Sequence, residues 1–313
     1  MKILVTGGCG YTGSILVKTL ISKNHKVVVL DNLWFGNFLP KHKNLKIIKK
    51  DIRDIKNIKF DNFEAVIHLA NIANDPSVDL SPELSWNVNV LATKELIEKS
   101  IICGARKFIF ASSGSVYGVK KEKNVTENLT LVPISTYNKT KMIAEKVLES
   151  YSKEINVFSV RPATVCGVSP RMRLDLTVNM FCYQAYKNKL ITVFGGKQIR
   201  PNIHINDLVN VYSHFLFKKS IRPGCYNAGF ENYSIKKIAE KIARKFNAKI
   251  VIKKIKDIRS YRQNSDKLIK TGFQRLYSID RAIDELHKYF VKEKFKDHDS
   301  FYTVKWMKKL NIK

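Results

Sequence analysis

The chain begins, directly after Met1, with Lys2-Ile-Leu-Val-Thr-Gly-Gly-Cys-Gly-Tyr-Thr-Gly13. This is a short β-rich run followed by glycines at positions 7, 10 and 13. Such glycines permit a tight turn, the close approach of a pyrophosphate and the close packing of the next helix on the sheet. That helix, predicted from Tyr11 to Ser22, directs its N-terminal amides and its dipole at the phosphates. The stretch therefore predicts a dinucleotide-binding β-α-β unit.

A second predicted strand, Lys26–Leu30, ends in Asp31, at the distance from the glycines that suits a ribose contact. A carboxylate at this place accepts hydrogen bonds from ribose hydroxyls and repels a 2′-phosphate. Residues 32 to 35 are Asn-Leu-Trp-Phe and offer no arginine to that phosphate. The sequence thus favours NAD over NADP.

Apolar β-rich runs alternate with longer helical stretches over the first half of the chain. The runs are Ile3–Val5, Val27–Leu30, Leu45–Ile48, Ala65–Leu69, Phe108–Ala111 and Val157–Val160. Alternation of this kind is typical of an α/β protein with a doubly wound parallel sheet. At 313 residues the chain is also long enough for a large nucleotide-binding core and a smaller lobe.

The formal net charge is +29, but the lysines are spread along the chain and no nucleic-acid motif accompanies them. We therefore expect no nucleic-acid partner, and we predict a solvated helical surface for the lysine-rich tail from His287 to Lys313. We expect no signal peptide, because the first predicted strand starts at Lys2, and no apolar run has transmembrane length, so stable membrane insertion is not expected. Five cysteines without a CxxC or metal-like pairing indicate reduced thiols, a cytoplasmic location and no metal site.

Tyr137 and Lys141 stand four residues apart in Ser-Thr-Tyr-Asn-Lys-Thr-Lys, a spacing that puts both on one face of a helix. An ammonium beside a phenol favours the phenolate, so we expect the pKa of Tyr137 to be lowered toward neutrality. Tyr137 would then accept a proton from a sugar hydroxyl. Ser113, at the end of a predicted strand, could hydrogen-bond the same oxygen.

Together these residues resemble the extended short-chain dehydrogenase/reductase family, in particular its nucleotide-sugar epimerase and dehydratase branch. The resemblance runs from Met1 to about Leu286. It adds Arg161-Pro162 after the sixth strand and Ile203–Asp207, a segment that re-enters the core. It implies a Rossmann domain over residues 1–167 and a mainly substrate-binding α/β lobe over 168–313, with residues near 203–230 returning to the core.

The resemblance also implies the residues that contact the cofactor. Asp51 and Ile52 would meet adenine, Leu69 and Ala70 would lie beneath the cofactor, and Asn89 is the asparagine of the central helix. The full set of implied cofactor contacts is Gly7, Gly10, Tyr11, Thr12, Gly13, Asp31, Asn32, Asp51, Ile52, Leu69, Ala70, Asn89, Tyr137 and Lys141.

Family members oxidise a nucleotide-activated sugar, usually at C4, while the tyrosine takes the hydroxyl proton. Dehydratases carry an Asp-Glu pair directly after the serine or threonine, whereas this chain has Gly114 and Ser115, which disfavours a 4,6-dehydratase. The segment around Ser113 resembles that of UDP-glucose 4-epimerases, for which the serine, the tyrosine, the lysine and NAD suffice. The main expectation is therefore C4 epimerisation through a transient 4-keto sugar.

Other outcomes remain open at the sequence level. The segment Ser169–Asn179 resembles a subgroup with C4 oxidases of nucleotide-activated heptoses, so a net C4 dehydrogenase of a hexose or heptose is the alternative. A non-catalytic NAD-sensing regulator is a weaker one, because such proteins typically lose the tyrosine or the lysine.

The substrate is expected to be a nucleotide-diphosphate sugar. Asn179 and Arg200 match residues that bind its diphosphate, and Asp257 matches the carboxylate that holds the nucleotide ribose. The implied substrate contacts are Ser113, Asn179, Phe194, Arg200, Asp257 and Arg259.

The predicted helices around Leu84–Cys103 and Tyr137–Tyr151 each carry an apolar side. The residues concerned are Trp86, Val90, Leu96, Ile97, Ala144, Val147, Leu148 and Tyr151. In the resembling family this helix pair meets its symmetry mate, so a two-fold homodimer is expected.

Overall fold

The computed structural model describes residues 1–60, 62–254, 260–292 and 295–312. Within this described part, seven parallel strands form the main sheet. They are β1 (Lys2–Thr6), β2 (Lys26–Asp31), β3 (Leu45–Lys49), β4 (Ala65–His68), β5 (Lys107–Ala111), β6 (Asn156–Pro162) and β10 (Gly224–Ala228). Their order across the sheet is β10-β6-β5-β4-β1-β2-β3. The order reverses between β1 and β4, which is where open α/β sheets bind their ligands. The predicted doubly wound α/β class is confirmed.

Helices cover both faces of this sheet. On one face lie α1 (Tyr11–Ser22) and α7 (Ile205–Phe217), and on the other lie α4 (Ala92–Ile102) and α5 (Thr136–Ser150). Ile3 and Val5 of β1 point toward the core beneath α1 and α7, whereas Leu4 points toward the core beneath α4 and α5. Because both faces are buried, the strands are nearly continuous apolar runs instead of alternating ones.

The continuous helical run before β5 consists of α3 (Pro82–Trp86), a π turn over Asn87–Leu91 and α4. The short α2 (Asp75–Val78) precedes this run. The predicted helix over Leu84–Cys103 is therefore continuous but not uniform. The π turn places Asn89 in the interior, where it is 1% exposed.

A second core lies beyond β6. It is built from α6 (Thr177–Asn188), β8 (Leu190–Phe194), α8 (Ile235–Phe246), β12 (Lys249–Lys253) and α10 (Ile279–Lys292). A smaller sheet contains β7 (Thr164–Cys166), β9 (Ile199–His204) and β11 (Glu231–Ser234), and the short α9 (Asp266–Ile269) contacts β10. Because α7 packs on the main sheet and β10 forms an edge strand of it, the chain passes from the second core back to the main sheet. The division at residue 168 stays a prediction.

The last helix, α11 (Thr303–Lys309), packs across the first part of the chain. Trp306 donates its indole N–H to the carbonyl of Trp34, and Met307 is buried in the core beneath α4. The prediction of a wholly solvated tail is wrong for this helix. Its lysines are exposed, but Thr303 and Met307 on its other side are only 5% and 2% exposed. No helix of the described residues combines the length and the apolar character needed to cross a membrane.

Candidate active site

The glycine loop between β1 and α1 admits no larger residue at two of its positions. Gly7 has a φ of +69°, and a Cβ there would lie 2.6 Å from the amide nitrogen of Ala70. A Cβ at Gly13 would lie 2.3 Å from the Gly7 carbonyl oxygen. With no side chains in the way, the first turn of α1 (Tyr11, Thr12 and Gly13) lines a deep cavity. Helix N-terminal amides lack partners within the helix, so this turn suits a phosphate.

Asp31 lies at the opposite side of the loop, at the end of β2. Its two carboxylate oxygens accept the amide hydrogens of Cys9, at 3.0 Å, and Leu33, at 2.8 Å. Burial raises the pKa of Asp31, while these two amide bonds and the nearby charge of Arg171 lower it. The carboxylate is therefore held rigidly at the cavity wall, where the sequence predicted a ribose contact.

The predicted adenine contacts lie on the same wall. Asn32, Asp51 and Ile52 all line the cavity. Asp51, however, is committed to Arg53, whose guanidinium donates to both carboxylate oxygens at 3.0 Å. This ion pair lowers the pKa of Asp51 against the effect of burial.

A buried polar chain supports the end of β4. The Thr93 hydroxyl donates to the Asn89 carbonyl. Because its hydrogen is used there, the hydroxyl accepts a hydrogen bond from His68 Nε2, at 2.8 Å. His68 Nδ1 then carries no hydrogen and accepts from the Thr6 hydroxyl, at 2.6 Å. Burial lowers the pKa of His68 to about 3, consistent with this neutral form. The Asn89 side chain in turn bonds the backbone of Ile72.

This series of buried hydrogen bonds supports the loop that carries Leu69 and Ala70, which both line the cavity. Asn89 does not line the cavity itself, but it holds the backbone of Ile72, which does.

Tyr137 and Lys141 lie four residues apart on α5, and both line the cavity. Ser113 does not line it, but its side chain interacts with Tyr137 and lowers the pKa of the phenol. The catalytic roles of the three residues stay a prediction. Ser113 also shares a hydrogen bond of 2.7 Å with Ser115. The Lys141 ammonium donates to the Ala111 carbonyl at 2.8 Å and lies 4.8 Å from the centre of the Phe110 ring.

The expected direction of the Tyr137 shift is wrong for the free protein. Burial raises the pKa of Tyr137 to about 12, and the hydrogen bond from Ser113 and the charge of Arg173 offset this only in part. Lys141 does not supply the full charge that the sequence suggested, because burial lowers its own pKa to about 7. The permanent positive charge near the phenol is Arg173.

Arg171, Arg173 and Asp175, between β7 and α6, are site residues whose role the sequence reasoning left open. Both arginines line the cavity, and Arg173 pairs with Asp175 at 3.0 and 2.8 Å. A signal for this placement exists in the sequence. Met172 and Leu174 are buried in the second core, so Arg171 and Arg173, which alternate with them, face the other way. These two arginines reach the cavity, and Asp175 lies beside Arg173.

The side chain of Asn179 forms hydrogen bonds within the protein. Its side-chain oxygen accepts from the Gly167 amide at 3.0 Å, and its nitrogen donates to the Tyr11 hydroxyl and the Arg173 carbonyl, each at 3.0 Å. It is fully buried. The structure thus uses Asn179 to fasten the Arg171–Asp175 segment to α1. A direct bond to a substrate diphosphate would require an exchange of these bonds and stays a prediction.

The other predicted substrate residues lie in the second lobe. Phe194 ends β8 and is 50% exposed, and Arg200, on β9, donates to the Ile199 carbonyl at 3.3 Å. Neither lines the cavity described above. Asp257 and Arg259 lie outside the described residues. Among the residues that are described, no cluster of histidine, cysteine and acidic side chains could hold a metal ion.

Fold and site define a Rossmann-type dehydrogenase site: a glycine loop, an acidic residue ending β2, and a tyrosine and lysine on one helix. Comparison with known proteins makes this specific. The NAD dependent epimerase/dehydratase family matches residues 3–229, and the chain belongs to this family. The family is NAD-dependent, so the predicted cofactor is confirmed. The predicted membership of the extended short-chain dehydrogenase/reductases, in their nucleotide-sugar epimerase branch, is confirmed as well.

Individual relatives agree. An uncharacterized UDP-glucose epimerase of Bacillus subtilis is 33% identical and is matched over 77% of this chain and 81% of its own length. A putative UDP-glucose 4-epimerase of Methanocaldococcus jannaschii is 32% identical over 66% of this chain and 70% of its own. The crystal structure of UDP-glucose 4-epimerase from Thermotoga maritima with UDP-glucose superposes with a TM-score of 0.84 at 25% identity, covering 94% of this chain and all of that one.

Proposed function

We propose that this protein epimerises a nucleotide-diphosphate sugar at C4. The observation that carries the proposal is that Tyr137 and Lys141 line the cavity beside the glycine loop and that the Ser113 side chain interacts with Tyr137. The named relatives, UDP-glucose 4-epimerases among them, support a UDP-sugar as the first substrate to test.

Bound NAD supplies the redox chemistry that takes up and returns the hydrogen of C4. The protein supplies the acid–base chemistry. Tyr137, as phenolate, takes the proton of the C4 hydroxyl and later gives it back, and Ser113 holds the oxygen in line through its hydrogen bond. Arg173 stabilises the phenolate electrostatically, since its charge lowers the pKa of Tyr137.

Elimination of water has no support in the residues after Ser113. A Cβ at Gly114 would lie 3.1 Å from the Pro162 carbonyl oxygen and 3.2 Å from the amide group of Gln263. A side chain at this position would require these neighbours to shift by a few tenths of an ångström. Ser115 is hydrogen-bonded to Ser113 and offers no carboxylate.

Mass analysis after incubation with candidate nucleotide sugars, UDP-glucose first, tests the proposal. Epimerisation leaves the mass unchanged and gives a new stereoisomer. A product lighter by two hydrogens would identify a net C4 dehydrogenase, and loss of water would identify a dehydratase. Absence of any product with a full panel of sugar nucleotides would favour a non-catalytic NAD sensor.

Asp31 gives a prediction on cofactor choice. Asp31→Asn keeps the shape of the side chain and an acceptor oxygen but removes the charge that repels a 2′-phosphate. We expect the wild-type protein to prefer NAD and the variant to lose at least about tenfold of that preference. Titration of both proteins with NAD and NADP measures it. Wild-type protein that binds NADP as tightly as NAD would refute the assignment.

A two-fold dimer is a further part of the proposal. Of the apolar residues predicted for the interface, Val90, Leu96, Ile97, Ala144 and Leu148 are buried within the single chain. Leu96, Ile97, Ala144 and Leu148 pack in the core beneath α4 and α5, so these four side chains are not expected to contact a second copy. Trp86 and Leu91, on the outer side of the first helical run, are 36% and 55% exposed and remain available.

We expect light scattering to give twice the chain mass of 36.0 kDa. Leu91→Glu should give a monomer, because a charge buried in an apolar interface is costly. Ile252→Glu, an exposed apolar position on β12, is the matched control and should stay dimeric. A wild-type monomer at micromolar concentration contradicts the proposal. A cytoplasmic location is proposed as well, supported by the free state of all five cysteines.

A further inference from the structure

Arg171 is a buried cation that forms no ion pair with the described residues. Its side chain is 3% exposed, and its Nε has no hydrogen-bond partner. One terminal nitrogen lies 3.4 Å from the Thr303 hydroxyl, a long contact. No carboxylate of the described residues forms an ion pair with it, whereas Arg173, two residues on, is paired with Asp175 at 2.8 Å.

The guanidinium is nevertheless held firmly in place. It stacks on Phe35 with 4.2 Å between its central carbon and the ring centre. Burial and the neighbouring charge of Arg173 lower the pKa of Arg171 to about 9. A buried charge without a counter-ion is destabilising, and proteins keep such groups where a ligand supplies the missing charge.

The position of Arg171 identifies the missing anion. It lines the same cavity as Gly10, Tyr11, Asp31 and Phe35. The guanidinium of Arg171 thus shares the cavity wall with the first turn of α1, proposed to bind phosphate, and with Asp31, proposed to bind a ribose. Of the parts of a dinucleotide, only the diphosphate carries negative charge. The fork of a guanidinium also matches phosphate oxygens.

We propose that Arg171 binds the diphosphate of NAD, reaching it from the segment between β7 and α6 on the side of the second lobe. The glycine loop and Arg171 then hold the diphosphate between two parts of the chain that are far apart in sequence. The proposal concerns the cofactor and holds whichever sugar reaction the site performs.

Binding of cofactor fragments to full-length, NAD-free protein tests the proposal without any turnover. Arg171→Met keeps an apolar side chain that can stack on Phe35 but removes the charge. A hydrogen bond to a charged group is worth about 1.5–3 kcal/mol, so Kd for NAD and for ADP-ribose should rise about 10- to 150-fold. Adenosine, which has no phosphate, should bind equally to both proteins.

Two further variants exclude indirect effects. Arg222→Met removes one positive charge from an exposed position and should leave all affinities unchanged. Arg171→Lys keeps the charge without the fork and should fall between wild type and Arg171→Met. Without ligand, Arg171→Met should melt at the same temperature as wild type or higher, because an unpaired buried charge has been removed. Its stabilisation by NAD should be smaller.

Other outcomes would overturn the proposal. Unchanged NAD and ADP-ribose affinities in Arg171→Met would show that the guanidinium does not touch the cofactor. A loss confined to NADP would assign Arg171 to a 2′-phosphate. A loss confined to UDP would assign it to the diphosphate of the substrate. If Arg171→Met does not fold, Arg171→Lys with unchanged NAD and ADP-ribose affinities would be the contrary result.

Discussion

Replacing Tyr137 by phenylalanine should lower turnover by about 10²- to 10⁴-fold, the usual contribution of a general base. The substitution keeps the ring, which packs against the core beneath α4 and α5, and removes only the ionisable oxygen. Folding and NAD content should therefore survive. Turnover of a nucleotide sugar, NAD content and melting temperature, measured on the same preparation, separate a catalytic loss from a structural one.

Two variants serve as comparisons for Tyr137→Phe. Ser113→Ala removes one hydrogen bond while the base remains, so it should cost less activity. Tyr151→Phe lies on the same chain segment, where its hydroxyl donates to Glu98 at 2.7 Å away from the cavity, and should have little effect. Near-wild-type turnover by Tyr137→Phe would mean that another group transfers the proton.

Replacing Lys141 by methionine should impair both the reaction and cofactor binding. The ammonium is 1% exposed and belongs to the cavity wall, and the family resemblance gives it a contact to the nicotinamide ribose. We expect a loss of turnover of about 10²-fold or more and weaker retention of NAD. Lys139→Met, at an exposed position on the same helix, is the control. Wild-type turnover and NAD content in Lys141→Met would refute this role.

The same variant should change how stability depends on pH. The pKa of Lys141 falls from 10.5 to about 7 on folding because of burial. Between these values the unfolded chain binds a proton that the folded protein does not, so the free energy of unfolding rises with pH. Lys141→Met removes this rise. Urea unfolding of NAD-free protein at neutral and alkaline pH should show the wild type gaining relative to the variant, and parallel profiles would contradict the lowered pKa.

Local patterns predicted much of the fold. The helix expected from Tyr11 to Ser22 has those bounds in the structure, because a glycine turn fixes its start and its apolar positions pack on the sheet. The six predicted strands form for the same kind of reason. Five of them are short apolar runs buried between two helical layers, whereas β3, at the edge of the sheet, is only partly buried.

The parts of the site that escaped prediction depend on long-range placement. Arg171 reaches a cavity that is also lined by the glycine loop, more than a hundred positions earlier, and Asn179 meets Tyr11 across 168 residues. No local spacing encodes such a meeting. The pKa of Tyr137 is a third case. Spacing on a helix predicted a neighbouring charge, but the depth of burial, set by the whole fold, decides the direction of the shift.

The packing of α11 on the loop after β2 has a consequence for synthesis. Trp34 emerges from the ribosome 272 residues before Trp306, the residue that closes on it. At about 5–20 residues per second this interval lasts roughly 14–54 s. During that time the glycine loop and its strands can form, but the floor formed by Thr303 and Met307 is still missing. The cleft for the cofactor is therefore complete only after α11 has been synthesised, and a chain truncated before Thr303 would carry the glycine loop in an incomplete cleft.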